Sequence, residues 1–246
     1  MSGHSHYATI KRAKEAKDAL KGKSFSKHAR AISIAVKSGG GPDPDSNYKL
    51  RMAIEAARAD NTPKENIERS ISKASSEAQN LEEFSYEGFG PYGVNFVIDA
   101  ATDNRNRTAQ EIKNLFEKSG GNMGGPGSVS YNFDNKGMIK VKKSDNPDAQ
   151  VLDLIDLGID DYEDIGDELI LYVPFEKTAE LRDSITAKSY TVISAQPIKK
   201  AKIFVELDNS EKVKKVFSLI EKIEEHDDVQ NVYTNVSVSD AIMVDL

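Results

Sequence analysis

The residues best placed to do chemistry are lysines and arginines near the start of the chain. At about 100° per residue, Lys14, Lys17 and Lys21 fall within about 60° of one another on a helix, with Lys11 about 60° beyond. A second set, Lys27, Arg30 and Lys37, lies opposite an apolar row of Phe25, Ala29, Ile32 and Val36 spaced i, i+4, i+7 and i+11. Residues 1–37 hold nine Lys and Arg, Arg12 and Lys23 among them, against two acids, Glu15 and Asp18. A helix that packs one side and shows cations on the other can lie along a phosphate backbone, where each neutralised phosphate releases counterions. An ordinary solvated helix face has the same composition, so both readings stand on these residues alone.

Two loops offer further chemistry. Thr102-Asp103-Asn104-Arg105-Asn106-Arg107-Thr108 sits between a predicted strand and a predicted helix. Helix N-termini present free N–H groups and a partial positive charge. Arg105 and Arg107 beside such a terminus could hold a phosphate or an RNA hairpin, or could pair with nearby acids while Asn and Asp form turns. The other loop, Gly39-Gly40-Gly41-Pro42-Asp43-Pro44-Asp45-Ser46-Asn47, reads either as a finger that enters a partner or as an interhelical loop. In the second case Asp45, Ser46 or Asn47 caps the next helix.

Enzyme signatures fail where they can be checked. Gly22-Lys23-Ser24 ends like a phosphate-binding loop, but Lys17 stands where its first glycine belongs. There is no GxSxG and no HExxH. His4, His6 and the remote His28 make a poor metal set. His226-Asp227-Asp228 reads as a solvated turn. A nuclease or phosphatase built on Asp99, Asp103 and the histidines lacks any convergent motif. The expectation is a non-enzyme with no cofactor, no metal and no small-molecule substrate.

These residues need elements to position them. Helices are predicted over 6–20, ended by Gly22, over 24–38 with Ser24 as N-cap, and over about 47–60 with Leu50, Ile54 and Ala57 inward. Thr62, Pro63 and Glu65 spell a capping box that starts a fourth helix with Ile67 and Ile71 inward. Residues 74–82 read as a linker. After them come Gly90-Pro91-Tyr92-Gly93 as a turn, GVNFVIDAA as a strand, a helix capped by Thr108 and Glu111, SVSYNF as a strand and Asp134-Asn135-Lys136-Gly137 as a turn. MIKVKK, ELILYV and YTVISA are strands alternating with helices around 147–157 and 174–188. KIFVEL, a helix over 210–225 and VQNVYTNV close the chain. The two outer β-α-β units, joined, give the ferredoxin-like βαββαβ order, with the middle block inserted. The fold class is therefore α+β: an N-terminal helical bundle followed by two ferredoxin-like α/β domains, one inside the other. The expected boundaries are 1–78, then 79–136 with 202–246, with 137–201 inserted.

Charge divides along the same lines. The chain of 246 residues carries net −7, yet residues 1–75 hold 15 Lys and Arg against 8 Asp and Glu, net +7, and residues 76–246 are net −14. Such asymmetry points to a polyanionic partner for the basic head. No Lys or Arg occurs from Ser144 to Glu176, which marks the most acidic surface. With no cysteine, disulfides and thiolate metal sites are excluded. No signal-peptide core opens the sequence, and no apolar run approaches the roughly 20 residues of a membrane-spanning helix. A cytoplasmic location and no membrane partner are expected.

Several long motifs stand in order: GHSHYATIK, KGKSFSK, GGGPDPDSN with KLRMAIEAARADNTPKENIERSI, YEGFGPYGV, TDNRNRT and SGGNMGGPGSVSYNFDNKG. Over essentially its whole length the chain resembles the YebC/PmpR family, which includes the mitochondrial translational activator of cytochrome oxidase subunit 1. Where that family usually has lysine and tryptophan after GHS, this chain has His6 and Tyr7. The resemblance implies a helical domain I and two α/β domains, with domain III inserted in domain II. It implies a non-enzymatic role, either as a DNA-binding transcriptional regulator or as a translation factor on the ribosome and its RNA. Carried over, the contacts would be Gly3, His4 and Ser5, Ile10 and Lys11, the basic residues of the first two helices, the loop from Gly39, and Arg105 with Arg107. The lysine-rich surface suits phosphates more than base edges, which leans toward structured RNA or weakly specific DNA. The alternative is a protein-interaction adaptor working through the acidic inserted domain.

Overall fold

The computed structural model describes residues 21–76, 81–238 and 242. Three helices come first: α1 (Lys21–Ser38), α2 (Tyr48–Ala59) and α3 (Lys64–Ser76). Helix α1 starts before Ser24, so Gly22 lies inside it and Ser24 is not its cap. One glycine costs a helix only about 1 kcal/mol, which packing elsewhere along the helix offsets. The helical core is Ile32, Ala35, Val36, Leu50, Ile54, Ala57, Ile67 and Ala74.

Asn47 joins α1 to α2 through one buried side chain. Its Oδ1 accepts the Leu50 N–H at 2.9 Å, and its Nδ2 donates to the Ala35 and Gly41 carbonyls, each at 2.7 Å. A Cβ on Gly39 would meet Asn47 Oδ1 at 2.1 Å, so only glycine lets the amide in. The capping box expected at Thr62 and Glu65 does not form. The Thr62 hydroxyl is buried without a partner, and the first turn of α3 closes on the Pro63 carbonyl, which accepts from Asn66 at 2.9 Å and Ile67 at 3.2 Å.

The remaining elements are β1 (Glu82–Phe89), β2 (Asn95–Thr102), α4 (Arg105–Ser119), β3 (Asn122–Gly124), β4 (Phe133–Lys142), α5 (Pro147–Asp156), β5 (Asp161–Ile165), β6 (Glu168–Pro174), α6 (Thr178–Ala187), β7 (Val192–Ala201), β8 (Val205–Leu207), α7 (Ser210–Glu224), β9 (Val229–Thr234) and β10 (Val236–Val238). They divide into two compact units, residues 1–133 with 201–246 and residues 134–200. The architecture is α+β, with helices first and sheets after.

In the first unit the sheet runs β3-β1-β2-β9, with β8 and β10 in a separate parallel pair. The layout resembles a ferredoxin-like sheet, except that β1 occupies the place next to β2 that the sequence reading gives to KIFVEL. That segment is a strand only over Val205–Leu207. Alternate residues of β2, Phe96, Ile98 and Ala100, face a core shared with Ile112 and Phe116 of α4 and Val213, Val216, Ile220 and Ile223 of α7. Val97 turns to the other face, against Val129, Phe133 and Ala201. SVSYNF is not a strand. It is a loop ending in a single turn over Ser130–Asn132, and β4 then runs unbroken from Phe133 through the expected Asp134–Gly137 turn.

The second unit is a complete βαββαβ fold with sheet order β7-β4-β6-β5, the ferredoxin-like arrangement. Its strand β5, DYEDI, is too acidic to read as a strand from sequence. It is an edge strand, where charge is tolerated and discourages unwanted pairing.

Candidate nucleic-acid interface

Residues 32–36 of α1 are buried without a break, which a helix packed on one side does not show. Beyond α2 and α3, α1 also packs against β2 and β9. The face expected to carry free cations is therefore the face against which the α/β domain sits. The Lys27 ammonium donates to the Glu224 carbonyl at the end of α7. The Arg30 guanidinium donates to the Ala101 carbonyl at 3.2 Å and, in close contact, to Asp228 Oδ1. Lys27 and Arg30 are thus joints between domains, which corrects their reading as outward phosphate contacts.

Asp228 is the centre of that joint. It is 2 % exposed, where the sequence reading puts a solvated turn. Its Oδ2 accepts the Thr108 hydroxyl at 2.6 Å and an Arg107 N–H at 3.1 Å. Thr108 has one hydroxyl proton, so with that proton on Asp228 the Thr102 hydroxyl, 2.9 Å away, donates to Thr108. The Asn104 N–H in turn donates to Thr102 Oγ1 at 2.9 Å. Burial alone would raise the Asp228 carboxyl, but Thr108, Arg30 and Arg107 override it and hold the group down at about 2. Beside it the Asp228 N–H donates to His226 Nδ1 at 3.1 Å, which leaves His226 Nε2 to donate to Glu111 at 2.7 Å.

The loop at 102–108 is assembled for the same purpose. The cap of α4 is Asn104, whose Oδ1 accepts the Arg107 N–H at 3.1 Å. Thr108, expected as the cap, is buried one turn inside, because Asp228 needs its hydroxyl. Arg107 bridges Asp228 and Asp103, the latter at 2.9 Å. Arg105 lies over the Phe84 ring, 4.8 Å from its centroid. Both arginines make contacts within the chain.

The loop from Gly39 is ordered from inside. Gly40 and Gly41 adopt φ of 102° and 119°, conformations natural to glycine. Asp43 takes the N–H of Asp45 on its Oδ1 and the Ser46 hydroxyl on its Oδ2. The Gly39 and Gly41 amides donate to the Ala35 and Val36 carbonyls. Asn47 is the cap, as the interhelical-loop reading has it. Gly3, His4, Ser5, Lys11, Arg12, Lys14 and Lys17 lie outside the described residues, and for Lys21 and Lys23 only the backbone at the start of α1 is described. Lys37, Arg58 and Arg69 are exposed and have no carboxylate partner among the described residues.

Three features escape the sequence reading. Glu87, 7 % exposed in the middle of β1, accepts three backbone N–H groups, from Gly127 and Val129 at 2.7 Å and Ser130 at 2.8 Å. Burial would raise its carboxyl, but these donors outweigh it and hold the group below the usual range. Asp228 has no local signal at all. Gly88-Phe89-Gly90-Pro91-Tyr92-Gly93 does spell GxGxxG, but it joins two antiparallel strands, whereas a dinucleotide fingerprint needs a strand leading into a helix.

Residues 5–77 match the TACO1/YebC protein N-terminal domain, and residues 81–236 match the TACO1/YebC second and third domain. The chain belongs to the TACO1/YebC family. A relative from Chloroflexus aurantiacus, named a probable transcriptional regulatory protein, is 44 % identical over 97 % of this chain and 96 % of its own. One of the same description from Brachyspira hyodysenteriae is 40 % identical over 99 % of each. The crystal structure of a conserved hypothetical protein from Aquifex aeolicus superposes with a TM-score of 0.83 at 39 % identity, over 92 % of this chain and 94 % of that one. Among the described residues of this TACO1/YebC chain, no three His, Cys, Asp or Glu side chains gather so that they could hold a metal ion. No helix among them is long and apolar enough to cross a membrane.

Proposed function

We propose that this protein is a regulator of gene expression that binds nucleic acid through its helical head and performs no catalysis. The observation that carries the reading is the charge division: the first 75 residues are net +7 on a chain that is net −7 overall. The name shared by its relatives, probable transcriptional regulatory protein, supports the same role. With Lys27 and Arg30 spent on the domain joint, the phosphate contacts fall to Lys11, Arg12, Lys14, Lys17, Lys21 and Lys23, with Lys37 in the last turn of α1. Lysines dominate this set, so the binding is electrostatic and salt-dependent rather than a readout of base edges.

The test replaces Lys11, Lys14, Lys17 and Lys21 with Glu and leaves Lys27 and Arg30 intact. Affinity for RNA or DNA should fall, and the slope of log affinity against log salt should flatten. A folded variant with unchanged affinity and slope refutes the reading. Co-sedimentation with ribosomes, set beside footprinting on promoter DNA, decides between a translational and a transcriptional partner. Cleavage of RNA or a phosphoester with many turnovers per protein would overturn the non-catalytic part.

The adaptor reading loses ground by comparison. Four acids of the inserted unit pair with lysines from outside the acidic stretch: Asp153 with Lys188, Asp160 with Lys136, Asp161 with Lys200 and Asp164 with Lys143. That leaves less unbalanced negative charge for a basic partner than the composition implies.

A further inference from the structure

Tyr92 sits at the tip of the turn between β1 and β2, with φ 61° and ψ 21°. Glycine takes this left-handed conformation freely, whereas a bulky side chain is strained there. The strain is not offset by burial, since Tyr92 is 46 % exposed. Its neighbour Gly93, φ 79°, has open space around it. Two ammonium groups from one face of α7 approach the ring: Lys212 Nζ and Lys215 Nζ each lie 5.8 Å from its centroid. Lys212 also reaches Asp208 Oδ1 at 2.9 Å. Lys215 has no carboxylate partner among the described residues. Gly120, in the left-handed cap of α4, leaves room where a side chain would come within 3.4 Å of the Lys215 ammonium.

An outward aromatic ring held at a conformational cost, beside two cations, matches one class of ligand. A nucleobase stacks on such a ring, and the phosphates next to it pair with the ammonium groups. A duplex keeps its base faces stacked on one another and offers none to the tyrosine. We propose that Tyr92, Lys212 and Lys215 form a stacking site for an unpaired nucleotide of single-stranded RNA or DNA, carried by the α/β domain. This rests on the nucleic-acid reading above and adds to it a second, strand-selective contact.

The test uses the full chain and fluorescence anisotropy with three labelled probes: a uridine-rich RNA strand, a thymidine-rich DNA strand and a DNA duplex. Tyr92→Gly should bind the single strands about tenfold more weakly and the duplex as the wild type does, with a melting temperature equal or higher because the strain is gone. Tyr92→Phe should retain binding, and Lys212→Ala with Lys215→Ala should weaken it. Ultraviolet crosslinking to the uridine strand should mark the peptide containing Tyr92. Loss on the RNA strand, the DNA strand or both supports the site and tells which nucleic acid it takes. Unchanged single-strand binding by Tyr92→Gly overturns it, as does equal weakening on strand and duplex. A wild type that binds no probe at low salt overturns both this site and the proposed function. If Tyr92→Gly loses strand binding while the head variant loses nothing, the head reading falls and this site stands.

Discussion

Asp228 and Asp161 are both aspartates with a cation in contact, and they do different work. Asp228 is buried beneath Arg30 and Arg107, with its side chain 3 % exposed. Asp161 pairs with Lys200 at 2.7 Å at the surface of the inserted unit, with its side chain 60 % exposed. Water screens the second pair, so it contributes little energy and serves to balance charge. In the first, the carboxylate is shielded from water while its arginines are partly open, so removing the arginines would strand a buried negative charge. The contrast teaches that the position of a charge, more than its identity, decides whether it binds outside partners or holds the protein together.

The largest expected effect is at the buried end. Asp228→Asn should cost about 2–3 kcal/mol in urea unfolding, because the buried carboxylate gives up its charged contacts with Arg30, Arg107 and Thr108, while both arginines keep access to water. With its folded value at about 2, below the ordinary 3.8, Asp228 contributes its full stabilisation above pH 4. That contribution fades as pH falls through 2. The stability gap between wild type and variant should therefore close between pH 4 and 2 and stay constant above it. A gap independent of pH across that window would break the comparison.

Glu87→Gln comes next. It removes a carboxylate that serves three backbone donors, for a cost of about 2–3 kcal/mol, and hydrogen exchange at Gly127, Val129 and Ser130 should quicken. Unchanged protection there would mean the loop holds itself. Asn47→Ala should cost about 1–3 kcal/mol through its lost bonds to Leu50, Ala35 and Gly41, with faster proteolysis between residues 39 and 46. At the exposed end, Asp161→Asn should cost roughly 0–1 kcal/mol, an effect removed by high salt. A loss there as large as that of Asp228→Asn would erase the distinction between the two regions.

Much of the fold is legible in the chain itself. The periodicity of Leu50, Ile54 and Ala57, the glycines after α1 and the strand GVNFVIDAA each report local structure, because backbone preference and one-sided burial act over a few residues. β1 and β5 are not legible, for one shared reason. Glu87 contradicts a central strand until the amides of residues 127–130 are known to receive it, and DYEDI contradicts any strand until it is known to lie at an edge. The basic surface was half legible: composition locates the cations of α1, but their direction depends on what packs against the helix.

By itself the sequence determined the α+β class, the helical head, the charge asymmetry and the family. Tertiary structure alone decided that Lys27 and Arg30 turn onto the α/β domain, that the half-exposed Arg107 reaches across to Asp228, that the expected surface turn holds that aspartate buried, and that Tyr92 stands strained beside two lysines. The physical reason is range. Propensity, capping and hydrophobic spacing act between near neighbours, whereas the contact between Arg30 and Asp228 spans 198 positions in the chain and exists only once both domains have closed upon it.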